Sequence, residues 1–223
     1  FNSLLITDEG TIANQLQGEE ISLGATYEKT VDRFALKWDG AYTLSGDLTD
    51  YFLTGAASLR IKNTIDMRAT VHTSSRLPDY NYLLYQSEYE NYNWQNDHLI
   101  VSHQVNILQF DLTSQVWGDL MVKYSTINNY SYFASTASAE QIDAGTENAF
   151  VKPFQEAGSV NILKVKYSKE FRYLKWALNN TVMYQQVSQS NKVLNLPELV
   201  TRNTLYFSDD IFKKAMYIQT GVT

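Results

Sequence analysis

The sequence predicts an all-β chain, an antiparallel up-and-down transmembrane β-barrel of about ten strands forming a single region over residues 1–223. Three observations predict it. Apolar residues recur at every second position, so that one parity of each segment is almost wholly apolar and the other polar. The alternating segments match tilted membrane strands of about 9–11 residues, longer than the five or six usual in soluble proteins. The connections between them alternate short and long, as they do between the two rims of an outer-membrane barrel.

The strands expected are 20–30, 33–45, 51–62, 64–75, 98–112, 119–131, 159–170, 173–187, 198–207 and 213–223. In the second, Phe34, Leu36, Trp38, Tyr42 and Leu44 oppose Arg33, Lys37, Asp39 and Thr43. Successive strand side chains point to opposite faces, so such a segment has an apolar and a charged face. The third sets Leu53, Ala57, Leu59 and Ile61 against Thr54, Ser58, Arg60 and Lys62. The fourth sets Ile65, Met67, Ala69 and Val71 against Asp66, Arg68, Thr70 and His72. Further on, Leu120, Val122 and Tyr124 oppose Lys123 and Ser125, and Leu163, Val165 and Tyr167 oppose Lys164, Lys166 and Ser168. Leu174, Trp176, Leu178, Val182 and Tyr184 oppose Lys175, Asn179, Thr181 and Gln185, and Met216, Ile218 and Val222 oppose Tyr217 and Gln219.

Short connections are expected at Thr30 to Asp32, Asn63–Thr64, Gln115 to Gly118, Phe171–Arg172 and Ser208 to Lys213. Longer ones fall at Arg76 to Asp97, Tyr132 to Gly158 and Ser188 to Pro197, with Gly46 to Asp50 a modest exception. Long loops of such barrels face outward from the cell, which places Arg76–Asp97 outside. Tyr27, Tyr42, Tyr51, Trp94, Trp117, Tyr124, Tyr130, Tyr132, Trp176 and Tyr206 sit near expected strand ends. They suit an aromatic girdle at each membrane interface, although aromatic residues are also common in β-structure generally.

Composition narrows the class further. A formal net charge of -6 lacks the basic footprint of a nucleic-acid protein, and no nucleic-acid partner is expected. The absence of cysteine removes disulfides, thiol catalysis and thiolate metal sites. No apolar run is long enough for a transmembrane helix, and in lipid only helices and closed barrels satisfy every backbone group. The chain carries no N-terminal signal peptide, and it stops inside a strand at Thr223 without a terminal aromatic. It is therefore expected to be an internal portion of a larger barrel, although ten strands suffice to close a small one.

The inward parity carries an unusual charge set: Arg33, Lys37, Asp39, Arg60, Lys62, Asp66, Arg68, Asp111, Lys123, Lys164 and Lys166. Eight of these are basic and three acidic, so the acidic excess lies in loops and turns, at Glu88, Glu90, Asp97, Glu140, Asp143, Glu147 and Glu156. An Arg or Lys on the lipid face would cost about 2–4 kcal/mol at the midplane, which forces the charges to share the polar parity. Two readings of the set stand. The plainer one, an interior network of ion pairs and water that holds the wall together, takes precedence. The other is a basic lumen favouring anions, as rings of Lys and Arg do in anion pores.

No catalytic motif is present: no G-x-S-x-G elbow, no Walker loop and no Rossmann fingerprint. His72, His98 and His103 form no HExxH, and His98 and His103, five apart on an expected strand, face opposite sides. Asp209–Asp210 is expected to cap a turn, and Glu88 and Glu90 read as solvated loop charges rather than a calcium site. Neither a cofactor nor a metal is expected.

Three segments carry a family likeness. They are Tyr82–Tyr89 with Asn93–Asn96; Gly158–Tyr167; and Asn195–Pro197 followed by Thr201–Tyr206 and Ile211–Gly221. Together they resemble the family of putative porins of Bacteroidota outer membranes. The resemblance implies a large, monomeric-looking barrel in the bacterial outer membrane, and family members are longer than this chain. The function expected is a pore for small polar solutes. The alternatives weighed are a non-conducting subunit of a secretion or assembly complex and a soluble sugar-binding sandwich, with an enzyme inside a barrel least favoured. The partners expected are outer-membrane lipid and lipopolysaccharide, with other outer-membrane complex subunits under the first alternative.

Overall fold

The computed structural model describes residues 6–7, 10–13, 15–46, 49–61 and 64–223. Its centre is a single ten-stranded sheet. The strands are β1 (Glu20–Val31), β2 (Phe34–Gly46), β3 (Tyr51–Ile61), β4 (Ile65–Arg76) and β5 (His103–Ser114). They continue as β6 (Gly118–Asn128), β7 (Val160–Tyr173), β8 (Trp176–Ser188), β9 (Leu199–Ile211) and β10 (Met216–Val222). Neighbours in the sheet are neighbours in the chain throughout, and all nine pairings are antiparallel. This is the up-and-down order of a barrel wall. The sheet is not closed: among the described residues nothing pairs with the outer edge of β1 or β10.

Nine of the ten strands have eleven to fourteen residues, and β10 has seven. Two expected turns lie further along the chain. Phe171–Arg172 and Ser208–Ile211 stay in strand, because their alternation continues unbroken, and the turns form at Leu174–Lys175 and Phe212–Ala215. These turns use left-handed backbone without glycine, at Leu174 (φ 54°), Phe212 (φ 52°), Lys213 (φ 56°) and Lys214 (φ 72°). Gly118, at φ 86°, is where a glycine is required: a Cβ there would collide with the Ser168 carbonyl oxygen of the neighbouring strand β7. At the other rim, β5 starts at His103, so His98 lies in a turn and the two histidines do not share a strand.

The sheet has no core beneath it. Leu23, Tyr42, Leu53, Val71, Leu108, Tyr124, Tyr167 and Val182 all stand exposed on one side. The accessible surface is 15595 Å², against roughly 10,000 Å² for a compact monomer of this mass. A soluble chain does not leave an apolar face of that extent uncovered. Apart from Ala56 and Ala177 on the wall, the buried apolar side chains among the described residues gather instead at the long-loop rim: Ile12, Leu83, Trp94, Ile100 and Val160.

The long loops are themselves structured, which periodicity did not reveal. Residues 77–102 carry a one-turn helix α1 (Tyr80–Leu83) and the pair Leu84–Tyr85 with Trp94–Gln95. Residues 129–159 carry the hairpin Ser131–Ser135 with Val151–Gln155 and helix α2 (Ala139–Asp143). A capping box starts α2: the Ser138 hydroxyl accepts the Gln141 N–H, and the Gln141 side chain accepts the Ser138 N–H.

Candidate functional site

Opposed residues in an antiparallel sheet share a face, so the register can be read across the wall. One row runs Glu28–Lys37–Ala56–Thr70–Gln109–Lys123–Lys164–Gln185. The next runs Ser58–Arg68–Asp111–Met121–Lys166. Arg60 and Asp66 oppose each other one row beyond, and Asp39 lies opposite Thr26 and Thr54. Nine of the eleven charged residues singled out in the sequence therefore project from one continuous face, opposite the apolar side. Arg33 does not lie on it. It sits in the turn Asp32–Arg33, where its carbonyl accepts the Arg60 N–H at 2.9 Å. Lys62 lies outside the described residues.

The contacts within this set are uneven. Arg60 Nε donates to Asp66 Oδ1 at 2.7 Å, in an exposed pair that contributes little to stability. Asp39 accepts from the Thr26 hydroxyl at 2.6 Å. Asp111 lies opposite Arg68 in register, yet its carboxylate is engaged by Gln109 Nε2 at 2.9 and 3.0 Å. Lys37, Arg68, Lys123, Lys164 and Lys166 form no ion pair among the described residues. The interior ion-pair network expected from the sequence is thus reduced, within this set, to Arg60–Asp66. Lys123 stands opposite Lys164, with Lys166 two residues further along the same strand face. Two like charges directly opposed are unfavourable, and this trio concentrates positive charge on one part of the face.

The register adds charges that sequence reasoning missed. Glu28, Arg76, Asp119, Glu170, Arg172, Arg202 and Asp210 share the same face. Arg172 was hidden by the early turn placed at Phe171, and continuing the alternation Lys166, Ser168, Glu170 past that point would have found it. Tyr206, assigned to a girdle, also lies on the polar face: its hydroxyl donates to Glu170 Oε2 at 2.7 Å and accepts from Arg172 Nη2 at 3.2 Å. Arg172 Nε also pairs with Glu170. With these residues included the face is nearly balanced in sign. The basic lean belongs to β6 and β7 rather than to the whole wall.

Asp209 has the opposite parity and is not a turn cap. It lies on β9 and pairs with Lys175 Nζ at 2.5 Å. Charges on the apolar side of the described strands occur at Lys29, Lys169 and Asp209, each within five residues of a short turn. Lys169 turns its amine to the Gln115 carbonyl at 3.4 Å and to the Val116 carbonyl. This is how a long cation near an interface avoids hydrocarbon.

At the long-loop rim, Trp94 and Tyr132 belong to the loop cluster rather than to a girdle. Tyr82 stacks on Phe133 at 4.6 Å, Tyr85 on Trp94 at 5.0 Å and Tyr132 on Phe154 at 6.0 Å. Lys152 Nζ lies 5.7 Å from the Trp94 ring and donates to the Asn93 carbonyl at 2.9 Å. Gln155 Nε2 donates to the Val101 and Asn129 carbonyls at 2.8 and 2.9 Å, tying the two longest loops together. Glu156 is buried, accepts the Gly158 N–H at 3.0 Å and takes both carboxylate bonds from Asn191 Nδ2 at 3.0 Å, joining the third loop. The short-turn rim does carry outward aromatics in a row, Tyr173, Trp176 and Phe207, with the last two rings in an edge contact at 5.2 Å.

A wall with one bare apolar face, one hydrogen-bonding face, short turns at one rim and folded loops at the other has the architecture of an outer-membrane-type β-barrel wall. No curated protein matches the chain. The family model described as "Putative porin" matches residues 1–223, the whole chain, and the protein belongs to that family.

Proposed function

We propose that the chain forms part of the wall of a pore in the outer membrane of a Gram-negative bacterium of the Bacteroidota, passing small polar solutes with a preference for anions. The observation that carries the preference is the trio Lys123, Lys164 and Lys166, adjacent on β6 and β7 and without ion-pair partners among the described residues. Unpaired ammonium groups lining a narrow aqueous path attract and partly dehydrate anions, the device of anion-selective pores.

In this reading the polar face lines water and the opposite face meets lipid, with lipopolysaccharide at the loop rim. The edges of β1 and β10 are completed by further strands of a larger barrel. The reading contains no catalytic step.

The test is single-channel recording of the full-length protein in planar bilayers, with a salt gradient to read selectivity. Conductance with an anion-directed reversal potential, diminished in the Lys123→Gln/Lys164→Gln/Lys166→Gln variant, is the expected result. A barrel that conducts at no voltage sinks the pore reading, and a selectivity indifferent to the three lysines sinks the anion preference.

A further inference from the structure

The apolar side of the wall is interrupted by one polar row that lies between apolar ones. Lys169, Asn180 and Asn203 oppose one another across β7, β8 and β9. Toward the short turns the row is followed by Phe171–Leu178–Leu205–Val222 and then Tyr173–Trp176–Phe207. Toward the loops come Tyr167–Val182–Thr201 and Val165–Tyr184–Leu199. The row therefore sits within the band that faces hydrocarbon. A second outward polar row, Thr73–Asn106–Thr126–Asn161, differs in place: it lies toward the loop ends of its strands, and Thr126 donates to Asn161 Oδ1 at 2.8 Å.

Lys169 has the reach to carry its amine back to the turn at Gln115–Val116. The asparagines do not. Among the described residues neither side-chain amide of Asn180 or Asn203 has a hydrogen-bond partner, and Asn203 is exposed. An amide without a partner in hydrocarbon is costly, because neither water nor lipid tails satisfy it there.

We propose that the face of β8 and β9 around Asn180 and Asn203 is an interface with a second copy of this chain, packed about an axis along the membrane normal. The inference rests on the apolar side facing lipid. An amide carries both donors and an acceptor, so the same asparagines meeting across a twofold satisfy each other, as an isologous contact requires. The patch is electrically suited to self-contact, since its one cation is withdrawn to the turn. The rows on either side, led by Leu178, Leu205, Val182 and Leu199, supply apolar surface for close packing, and hydrogen bonds between amides add to that packing in membranes.

Residues 1–223 contain no cysteine, so once any cysteine elsewhere in the full-length protein is replaced by serine, introduced thiols report cleanly. Asn180→Cys, Asn203→Cys and, as an outward control on β5, Leu108→Cys would be expressed in the full-length protein and treated in native outer membranes with a short lipid-soluble bismaleimide. The expected result is a product of twice the protomer mass from Asn203→Cys and Asn180→Cys and none from Leu108→Cys. Monomer alone from all three, with Leu108→Cys alkylated by a lipid-phase reagent, overturns the second-copy interface while leaving the membrane reading intact. A cross-linked product of any other mass also overturns it, by showing a different neighbour. Labelling of Leu108→Cys only by water-soluble reagents would instead defeat the membrane reading on which the inference rests.

Discussion

The indole of Trp38 lies across Gly55 of the neighbouring strand, occupying the space in which any other residue would carry its Cβ. A Cβ at Gly55 would meet the ring, with Cε3 and Cη2 both 2.8 Å away. An aromatic ring covering a strand glycine restores the contact surface that the glycine forgoes. Gly55→Val is expected to displace the indole and destabilise the wall by about 1–3 kcal/mol, the usual cost of overpacking. Urea unfolding of the full-length protein in lipid vesicles measures it; an unchanged midpoint would mean that the indole is free to move.

The assignment of faces makes a sharper prediction, because adjacent residues on β5 should behave oppositely. Leu108→Arg places a cation in the middle of the apolar side and should cost about 2–4 kcal/mol. Gln109→Arg, one residue on, points to the polar face beside Asp111 and should cost no more than about 1 kcal/mol, the like-charge opposition to Lys123 included. Equal effects in the same vesicle titration would contradict the two-faced wall.

Lys164→Glu replaces a like-charge pair across β6 and β7 by an opposite-charge one. A cross-strand pair of that kind contributes roughly 0.2–1 kcal/mol, so the variant should be slightly more stable than the parent. Its pore should at the same time lose anion preference, read as a shift of the reversal potential toward the cation value. Greater stability with unchanged selectivity would separate the lysines from the conduction path.

The loop latch at Glu156 should depend on pH. The Gly158 N–H and then the Asn191 amide stabilise the carboxylate and hold its pKa below the usual value. A lowered folded pKa means that the stabilising effect is complete above the ordinary carboxylate range and is lost as pH falls through the lowered value. Hydrogen exchange of the Gly158 amide should therefore be slow near neutrality and, after correction for intrinsic rates, lose protection in acid. Glu156→Gln should remove that pH dependence, and a parent protein equally protected at both ends would exclude the latch.

Much of this wall was legible in the residues themselves. The alternation around Trp38, Val71, Tyr124 and Val165 assigned a face to each strand, because strand side chains must point to opposite sides. The strand ends were less legible. Leu174 and Phe212 adopt left-handed backbone that their residue types give no reason to expect, so the turns before β8 and β10 fell later than composition suggested. The loops were the least legible: Gln155 bonding across to Val101 is a long-range contact that no local pattern encodes.

The sequence by itself determined that this chain is a two-faced β-wall with most of its strand charges on one side, since burying cations in lipid is opposed by energy rather than by fold. Only the tertiary structure decided the register, and register alone sets which side chains meet. It placed Lys123 opposite Lys164, gave Asp111 to Gln109 rather than to Arg68, and brought Asn180 beside Asn203 on the apolar side. Parity follows from each strand alone, whereas the alignment of one strand on the next depends on turns and backbone hydrogen bonds that single-strand alternation does not specify.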